Sequence, residues 1–589
     1  MSRFAAPLAL LAVVGLSRLW ALDADPAGFV HAHVVTDEGW WAHNARNFLL
    51  AGHWILDEHN PPLWLAPLHT LLVWASHAAL GPSLWATRLP SALASLVVCG
   101  LGGVILASEL SRRWALLGVG LLAPSSFLFG YGRVAMVESL QLALLMVAFL
   151  GAVRGVGRPR WAALSAAALV ASALAKPSGV GVGLACFALL VIRARDQRDP
   201  RSVIAFAGAG FAAAGLWAAL FVIPNLDAVQ TALFHRAGST DVAPLAETLL
   251  FLGQTGSPPD SQLLPLLAPW WWALTAAVVL RGLSGHSPLR GVLADGAWLW
   301  WFAAVAVTGL ELYQPDRRML LGVPPLVILL LLHMADARRA RPPATPGWQV
   351  LCLPVLLLGS GLAVASLGAV EPALSSLAAD WHVGEEPGLS RSALAGLTWA
   401  GALGLAALVL GGARALLPGR SFRLHPAWIL APVLLVETGT VLHALATSTY
   451  TLRAANERLA LLTGAEPPSC RIVQGKIAST LALGSEAFAF HVRDWEGGIQ
   501  MNLDGFETLG PRFVVVGRRS DGRVWAPPIA APLDRLEKLD ALPLWPDRRG
   551  RPRLHAELYR VPHDLGPCRN LPSGPTRRPA FSGVPAPAP

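Results

Sequence analysis

Two adjacent carboxylates, Asp37 and Glu38, lie just after the first apolar segment of the chain. Ionisable groups at a membrane boundary are costly to desolvate, and they commonly mark functional sites. Trp40, Trp41 and Arg46 follow closely. A carboxylate held at such a boundary is suited to act as a general base. The pair therefore predicts a site of proton transfer, and the alternative is the start of an ordinary solvated loop.

The surrounding chain is strongly apolar. Of its 589 residues, 54% are hydrophobic and 14% are charged, whereas soluble domains carry about 25% charged residues. This composition predicts a polytopic α-helical membrane protein. Lys and Arg outnumber Asp and Glu by 46 to 37. No dense basic stretch carries interleaved aromatic residues, so we expect no nucleic-acid partner.

The apolar segments predict about thirteen transmembrane helices, because each is close to the roughly 20 residues that cross a hydrocarbon core. They lie near 4–22, 89–110, 114–131, 136–153, 161–175, 178–192, 202–224, 264–280, 294–312, 319–334, 348–369, 392–413 and 426–446. The stretch 63–80 holds His69 and His77 between prolines, so we expect it to lie in the interface and not to span. Segment 1–22 has features of a signal peptide, but its apolar run is long, and we expect it to be retained.

Arginine clusters orient these spans. With 63–80 excluded, the following clusters fall on one side: Arg112/Arg113, Arg154/Arg158/Arg160, Arg193/Arg195/Arg198/Arg201, Arg281/Arg290, Arg338/Arg339/Arg341 and Arg414/Arg420/Arg423. By the positive-inside rule, that side is cytoplasmic. We therefore expect the amino terminus inside and the carboxyl terminus outside. In this topology the loops 23–88 and 225–263 lie on the outer face.

The chain divides into three regions by composition. Residues 1–447 form the membrane region, and 448–570 read as a small exported α/β domain because charges return and short strand-like runs appear. Residues 571–589 are rich in Pro, Ser and Arg and predict disorder. Cys470 and Cys568 bracket the exported domain, where an oxidising compartment would permit a disulfide; the sequence leaves that pairing open.

The order of several short motifs resembles the GT-C glycosyltransferases, specifically the protein-mannosyltransferase and aminoarabinose-transferase-like branch. The motifs are Thr36-Asp37-Glu38-Gly39-Trp40, Ala45-Arg46-Asn47-Phe48, Gly52-His53-Trp54, Pro61-Pro62-Leu63, Leu80-Gly81, Arg88-Leu89-Pro90-Ser91, Arg133-Val134-Ala135-Met136-Val137-Glu138, Ala173-Leu174-Ala175-Lys176 and Tyr313-Gln314-Pro315-Asp316-Arg317-Arg318 followed by Pro324-Pro325. The resemblance covers the membrane region in order and sidedness. It implies a GT-C-like fold in a bacterial inner membrane.

The resemblance also implies a function. We expect transfer of a monosaccharide from a polyprenyl-phosphate donor to a lipid, lipid A, protein or glycan acceptor on the outer face, with inversion at the anomeric carbon. Asp37 is the expected general base and Glu138 the second catalytic carboxylate. The expected substrate-binding residues are Glu38, Arg133, Lys176, Tyr313, Arg317 and Arg318, of which the cations would bind phosphate.

Each of these assignments has a simpler alternative. Asp37 would cap a helix over 39–50, because Asp is a favoured N-cap. Glu138 would pair with Arg133, and a boundary Arg or Lys would contact lipid headgroups. The branch more often has Asp at the position of Glu138, and Asn60 stands where relatives often carry Lys before the prolines.

A divalent metal is possible, because acidic and histidine side chains crowd the first loop. They are His31, His33, Glu38, His43, His53, Glu58 and His59. Their spacing matches no metal motif. Interfacial histidines are the favoured interpretation, and we expect no metal cofactor.

Two other classes of protein remain open: a transporter or flippase of lipid-linked sugars, and a non-catalytic membrane assembly protein. A transporter is more often built from internal repeats, and none is visible here. Neither the sugar nor the acceptor can be identified from the sequence.

Overall fold

The computed structural model describes residues 5–27, 34–51, 67–226, 291–309, 320–339, 427–475, 477–490, 510–519, 524–525, 533–546, 552–564 and 568. The helices are α1 (Ala5–Leu19), α2 (Val34–Ala51), α3 (Pro67–Leu80), α4 (Leu84–Glu109), α5 (Arg112–Leu122), α6 (Ser126–Gly132), α7 (Val137–Gly155), α8 (Pro159–Ala175), α9 (Val180–Gln197), α10 (Arg201–Trp217), α11 (Val292–Gly309), α12 (Val323–Arg339), α13 (Ala427–Ala446), α14 (Thr451–Gly464) and α15 (Ala478–Leu481).

Among the described residues, three helical segments are long and apolar enough to cross a membrane: α4, α7 and Arg201–Val222, in which a π-turn extends α10. Shorter apolar helices lie at Ala9–Leu19, Pro159–Ala175 and Leu320–Ala335. The expected segments 264–280, 348–369 and 392–413 lie outside the described residues. The total of about thirteen spans therefore stays a prediction.

One expected span is wrong as a continuous helix. The segment 114–131 is divided between α5 and α6, whose axes are bent by 62°. Pro124 lies in the break. Proline has no N–H to donate to the helix, and its ring clashes with the carbonyl four residues earlier, so the helix stops there.

The interfacial stretch forms α3, which has 14 residues. At 1.5 Å per residue it is about 21 Å long, shorter than the roughly 30 Å of a hydrocarbon core. Its buried face includes His69 and His77, and His77 Nε2 lies 2.8 Å from Thr87 Oγ1 of α4. The helix is therefore anchored to the start of α4 by polar contacts.

Small residues bring α7 and α8 together. A Cβ atom on Gly151 would lie 2.9 Å from the backbone of Ser165, and one on Gly155 would lie 2.9 Å from the backbone nitrogen of Ala162. Ser165 Oγ also donates to the carbonyl of Ala148 at 2.6 Å. Such close backbone approach is typical of helix pairs in membranes.

The carboxyl-terminal part contains a six-stranded sheet in the order β2-β1-β3-β6-β5, with β4 paired to β3. The strands are β1 (Ile472–Gln474), β2 (Phe488–Phe490), β3 (Phe513–Arg519), β4 (Val524–Trp525), β5 (Glu537–Pro546) and β6 (Pro552–Arg560). The pairs β1–β2 and β1–β3 are parallel, and β3–β4, β3–β6 and β5–β6 are antiparallel. The strand-like runs of the sequence, at 471–473, 488–492 and 512–516, overlap β1, β2 and β3.

One face of the sheet packs on helices from both regions of the chain. Along β3, Phe513 and Val515 belong to a core that also contains Leu481 of α15 and Ala42 and Ala45 of α2. Since successive strand residues point to opposite faces, Val514 and Val516 lie on the other face. A disulfide joins Cys470, just before β1, to Cys568, which follows β6; their Cα atoms are 4.7 Å apart.

Candidate active site

The acidic pair lies at the beginning of α2. This helix starts at Val34, so Asp37 belongs to its first turn and is half-buried. The alternative in which Asp37 caps a helix over 39–50 is therefore wrong. Negative charge in the first turn is favoured by the helix dipole, so an acidic residue suits this position.

Glu38 is fully buried in an ion pair with Arg88 of α4. Arg88 Nε lies 2.6 Å from Glu38 Oε1, and Nη2 lies 2.8 Å from Oε2. The backbone N–H of Ala135 donates to Glu38 Oε1 at 2.8 Å. Arg88 also donates to the carbonyls of Leu22 and Ala24. Both oxygens of Glu38 are thus occupied, and the ion pair ties α2 to the membrane helices.

The opposite side of α2 contacts the sheet domain. The N–H of Gly39 donates to Thr480 Oγ1 at 3.0 Å, and a Cβ atom on Gly39 would lie 2.2 Å from the Thr480 backbone nitrogen. Only glycine fits at this approach. Further along α2, two side chains donate to main-chain carbonyls of the domain: Arg46 to Ala482 (2.8 Å), Ser485 (3.1 Å) and Ala487, and Asn47 to Ala489 (3.2 Å).

The second carboxylate, Glu138, begins α7 and is buried. Its Oε1 lies 2.5 Å from Nζ of Lys176, the residue that ends α8. One helical turn along α7, Gln141 Nε2 donates to the Lys176 carbonyl at 2.9 Å and to Ser178 Oγ at 3.2 Å. The helix α7 therefore holds both the ammonium group and the backbone of Lys176.

Arg133 has a different partner from the one expected. Its guanidinium donates to carbonyls at the end of α1 and just beyond: Ser17 (3.0 Å), Arg18 (3.2 Å), Trp20 (2.5 Å) and Ala21 (2.6 Å). The alternative in which Arg133 pairs with Glu138 is wrong, because Lys176 takes that place. A cation at the last carbonyls of a helix is favourable for the dipole, so Arg133 fixes the end of α1.

The structure places Glu38 beside the segment that leads into Glu138. Ala135, which bonds Glu38, lies three residues before Glu138. Tyr313, Arg317 and Arg318 lie outside the described residues. Arg88 and Gln141 were not singled out as functional residues in the sequence; the spacing of Gln141, three residues after Glu138 on a helix, was the available signal.

Within the described ranges, no group of three His, Cys, Asp or Glu side chains is arranged to hold a metal ion. Of the residues that crowd the first loop, Glu38 and His43 are described. Glu38 is engaged with Arg88, and His43 Nδ1 lies 3.0 Å from the carbonyl of Gly39. His31, His33, His53, Glu58 and His59 lie outside the described residues.

The fold is that of a GT-C-like membrane protein. Two crystal structures of ArnT from Cupriavidus metallidurans, one bound to undecaprenyl phosphate and one in the apo state, are similar to this chain at 15% identity. The match covers 95% of this chain and 98% of each ArnT chain, with TM-scores of 0.56 and 0.57. No protein-family model matches the sequence, and no curated protein matches it significantly.

ArnT is an aminoarabinose transferase of the GT-C class. The resemblance to that branch, inferred from the order of short motifs, is therefore confirmed at the level of the fold. At this low identity the similarity extends to the architecture of the whole chain and not to its substrates.

Proposed function

We propose that this protein is a membrane glycosyltransferase that transfers a monosaccharide from a polyprenyl-phosphate donor to an acceptor at the outer face of the bacterial inner membrane. The observation that carries the proposal is the contrast within the acidic pair. Glu38 is buried and fully engaged with Arg88, whereas Asp37, the preceding residue, is half-buried at the first turn of α2. The fold shared with ArnT, which has been crystallised with undecaprenyl phosphate, supports the lipid-phosphate donor.

In the proposed reaction, an acceptor hydroxyl or amine attacks the anomeric carbon of the sugar. The bond from that carbon to the phosphate oxygen breaks, and the polyprenyl phosphate leaves with the electron pair. Asp37 takes the proton of the acceptor, and a positioned base of this kind contributes about 10²–10⁴-fold. A single displacement inverts the anomeric configuration.

Cations must hold the phosphate. Lys176 is a candidate, and its pairing with Glu138 keeps the buried site near neutrality before the donor binds. We assign the remaining phosphate contacts to Tyr313, Arg317 and Arg318. Glu38 and Arg133 are assigned to positioning, because Glu38 is engaged with Arg88 and Ala135 and Arg133 with the end of α1.

The disulfide supports the proposed sidedness. Disulfides persist in oxidising compartments and are rare in the cytosol, so the Cys470–Cys568 bridge favours a carboxyl-terminal domain outside the membrane. An outer acceptor, whether lipid A, another lipid, a protein or a surface glycan, would meet the donor there.

The test is mass spectrometry of polyprenyl-phosphate sugars in cells that lack the gene and are complemented with variants. We expect one lipid-phosphate sugar to accumulate without the protein, to fall with wild type and to stay high with Asp37→Asn. Asp23→Asn is the matched control, because the ion pair of Asp23 with Arg453 is partly exposed to solvent and such pairs contribute little. Full complementation by Asp37→Asn would remove the catalytic assignment and favour a transporter or assembly role.

A further inference from the structure

A second set of polar groups lies on the same face of α2 as Asp37. Residues 37, 41, 44 and 48 follow the helical spacing that places side chains in one stripe. At the end of this stripe, the ring of Phe48 meets Trp74 of α3 edge-on at 5.8 Å. Phe48 therefore contacts α3 and Trp41 packs in the core of the membrane helices, whereas Gly39, Arg46 and Asn47 face the sheet domain.

Asn44, in the middle of this stripe, is 1% exposed, yet neither its Oδ1 nor its Nδ2 has a hydrogen-bond partner in the part of the chain that the structure describes. Trp41 is 4% exposed, and its indole N–H is likewise unpartnered. On α3, the indole N–H of Trp74, whose ring contacts Phe48, has no partner in the described residues either. Buried polar groups are almost always hydrogen-bonded, and leaving one unmet is unfavourable.

Asn47 shows that a buried asparagine on this helix can use both of its amide atoms. Three residues further along the same helix, Asn47 uses both amide atoms: Nδ2 donates to the Ala489 carbonyl, and Oδ1 accepts from Arg46 Nη2 at 2.9 Å. Where the helix packs on the domain, Arg46 Nη1 and Asn47 Nδ2 donate to main-chain carbonyls and only Arg46 Nε lacks a partner in the described residues, whereas both amide atoms of Asn44 lack one.

We propose that Asn44, together with the indole N–H of Trp41, binds hydroxyl groups of a substrate in the site of Asp37. An amide both donates and accepts, so it matches a hydroxyl, which does the same. Asp37 and Asn44 are two helical turns apart, about 10 Å along the axis, with Trp41 between them. The inference rests on the proposed function, and it assigns Asn44 to either the donor sugar or a hydroxylated acceptor.

The test uses Asn44→Leu, which keeps a similar size and removes both unmet groups. We expect the thermal midpoint of the purified protein in detergent to rise by about 1–3 °C. We expect transfer to fall, with kcat/KM reduced roughly tenfold to hundredfold, because the substrate loses its hydrogen bonds. Gain of stability with loss of activity is the signature of a polar group retained for binding.

Asn456→Leu is the matched control for stability. Asn456 is also buried, but its Nδ2 donates to the Leu452 carbonyl at 2.9 Å and its Oδ1 accepts from the Gly484 N–H at 2.9 Å. Its replacement should therefore lower the midpoint. If Asn44→Leu lowers the midpoint as Asn456→Leu does, Asn44 has a structural partner and the proposal is overturned.

The kinetic assay combines the polyprenyl-phosphate sugar fraction of cells lacking the gene with an envelope fraction that contains their lipids, proteins and glycans as acceptors, and its readout is the release of polyprenyl phosphate. A raised KM for the polyprenyl-phosphate sugar, measured with the acceptor fraction in excess, assigns Asn44 to the donor sugar. An unchanged KM with a lowered kcat assigns it to the acceptor. If the wild type transfers and Asn44→Leu has the same kcat and KM, this inference alone is overturned. If the wild type releases no polyprenyl phosphate, the proposed function is overturned.

Discussion

The buried pair of Glu138 and Lys176 is the clearest case in which one contact has both a structural role and a proposed catalytic role. The side chains are 4% and 11% exposed and meet at 2.5 Å. Removal of one partner of a buried ion pair commonly costs about 3–5 kcal/mol, whereas replacement of both by apolar groups is often neutral. This asymmetry separates the structural role of the pair from its catalytic role.

We therefore expect Glu138→Met and Lys176→Met each to lower the thermal midpoint, because each leaves a buried charge without its counter-ion. The double variant should recover most of that midpoint. Transfer should be lost in all three, since the site then lacks either the second carboxylate or a phosphate-binding cation. The thermal midpoint is measured in detergent, and transfer is measured by the release of polyprenyl phosphate. A double variant that regained transfer would show that the pair is only structural.

The candidate residues Asp37, Glu138 and Lys176 could be found from the sequence, because charge is conspicuous beside apolar segments. Their partners could not. Glu38 and Arg88 are 50 residues apart and Glu138 and Lys176 are 38 apart. The structural alternative offered by the sequence paired Glu138 with Arg133, but helix packing decides which cation reaches the carboxylate, and that cation is Lys176.

At the scale of elements, hydropathy located most helices, and the exceptions have local causes. The apolar segment beginning at 89 starts at Leu84 in the structure, because Ser83 caps the helix by accepting from the Ala86 N–H at 3.1 Å. The break between α5 and α6 follows from Pro124. A hydropathy profile detects neither the capping hydroxyl of Ser83 nor the missing N–H of Pro124.

Packing between α7 and α8 sets the distance from Glu138 to Lys176, since one helix carries each residue. We expect Gly151→Ala to lower the thermal midpoint, because the new Cβ would lie 2.9 Å from the Ser165 backbone and the helices would have to separate. Gly208→Ala in α10 is the control: nothing lies within 4 Å of its Cβ position. Since alanine favours a helix over glycine by about 1 kcal/mol, that midpoint should stay or rise. Equal shifts in the two variants would contradict the packing argument.

At the scale of the whole molecule, α2 lies between two bodies that the sequence separated. Glu38 ties it to the membrane helices through Arg88, and Arg46 ties it to the sheet domain across 436 to 441 residues of chain. The strand-like runs of the sequence indicated a carboxyl-terminal α/β region. A local hydrophobic pattern, however, cannot predict a contact between residues more than 400 positions apart. The sheet domain therefore helps to position the candidate base, although it lies at the other end of the chain.

This arrangement requires the sheet domain to be on the same side of the membrane as Asp37, and the disulfide offers a direct measurement. Cys352 lies outside the described residues, so it is first replaced by serine to prevent its labelling. In this Cys352→Ser background, Cys470→Ser would leave Cys568 as a thiol. We expect a membrane-impermeant maleimide to label it in intact spheroplasts, while the parent with its disulfide stays unlabelled until reduced. Cys99 and Cys186 are buried in α4 and α9 and should not react.

The opposite face supplies the control for this labelling. Gln197 is exposed at the end of α9 beside the arginine cluster that the positive-inside rule places in the cytoplasm. With the disulfide intact, Gln197→Cys should be labelled only after the membrane is permeabilised. If Cys568 behaved in the same way, the sheet domain would be cytoplasmic. Because α2 is held against that domain by Arg46 and Thr480, Asp37 would then face the cytoplasm as well, and transfer at the outer face would be ruled out.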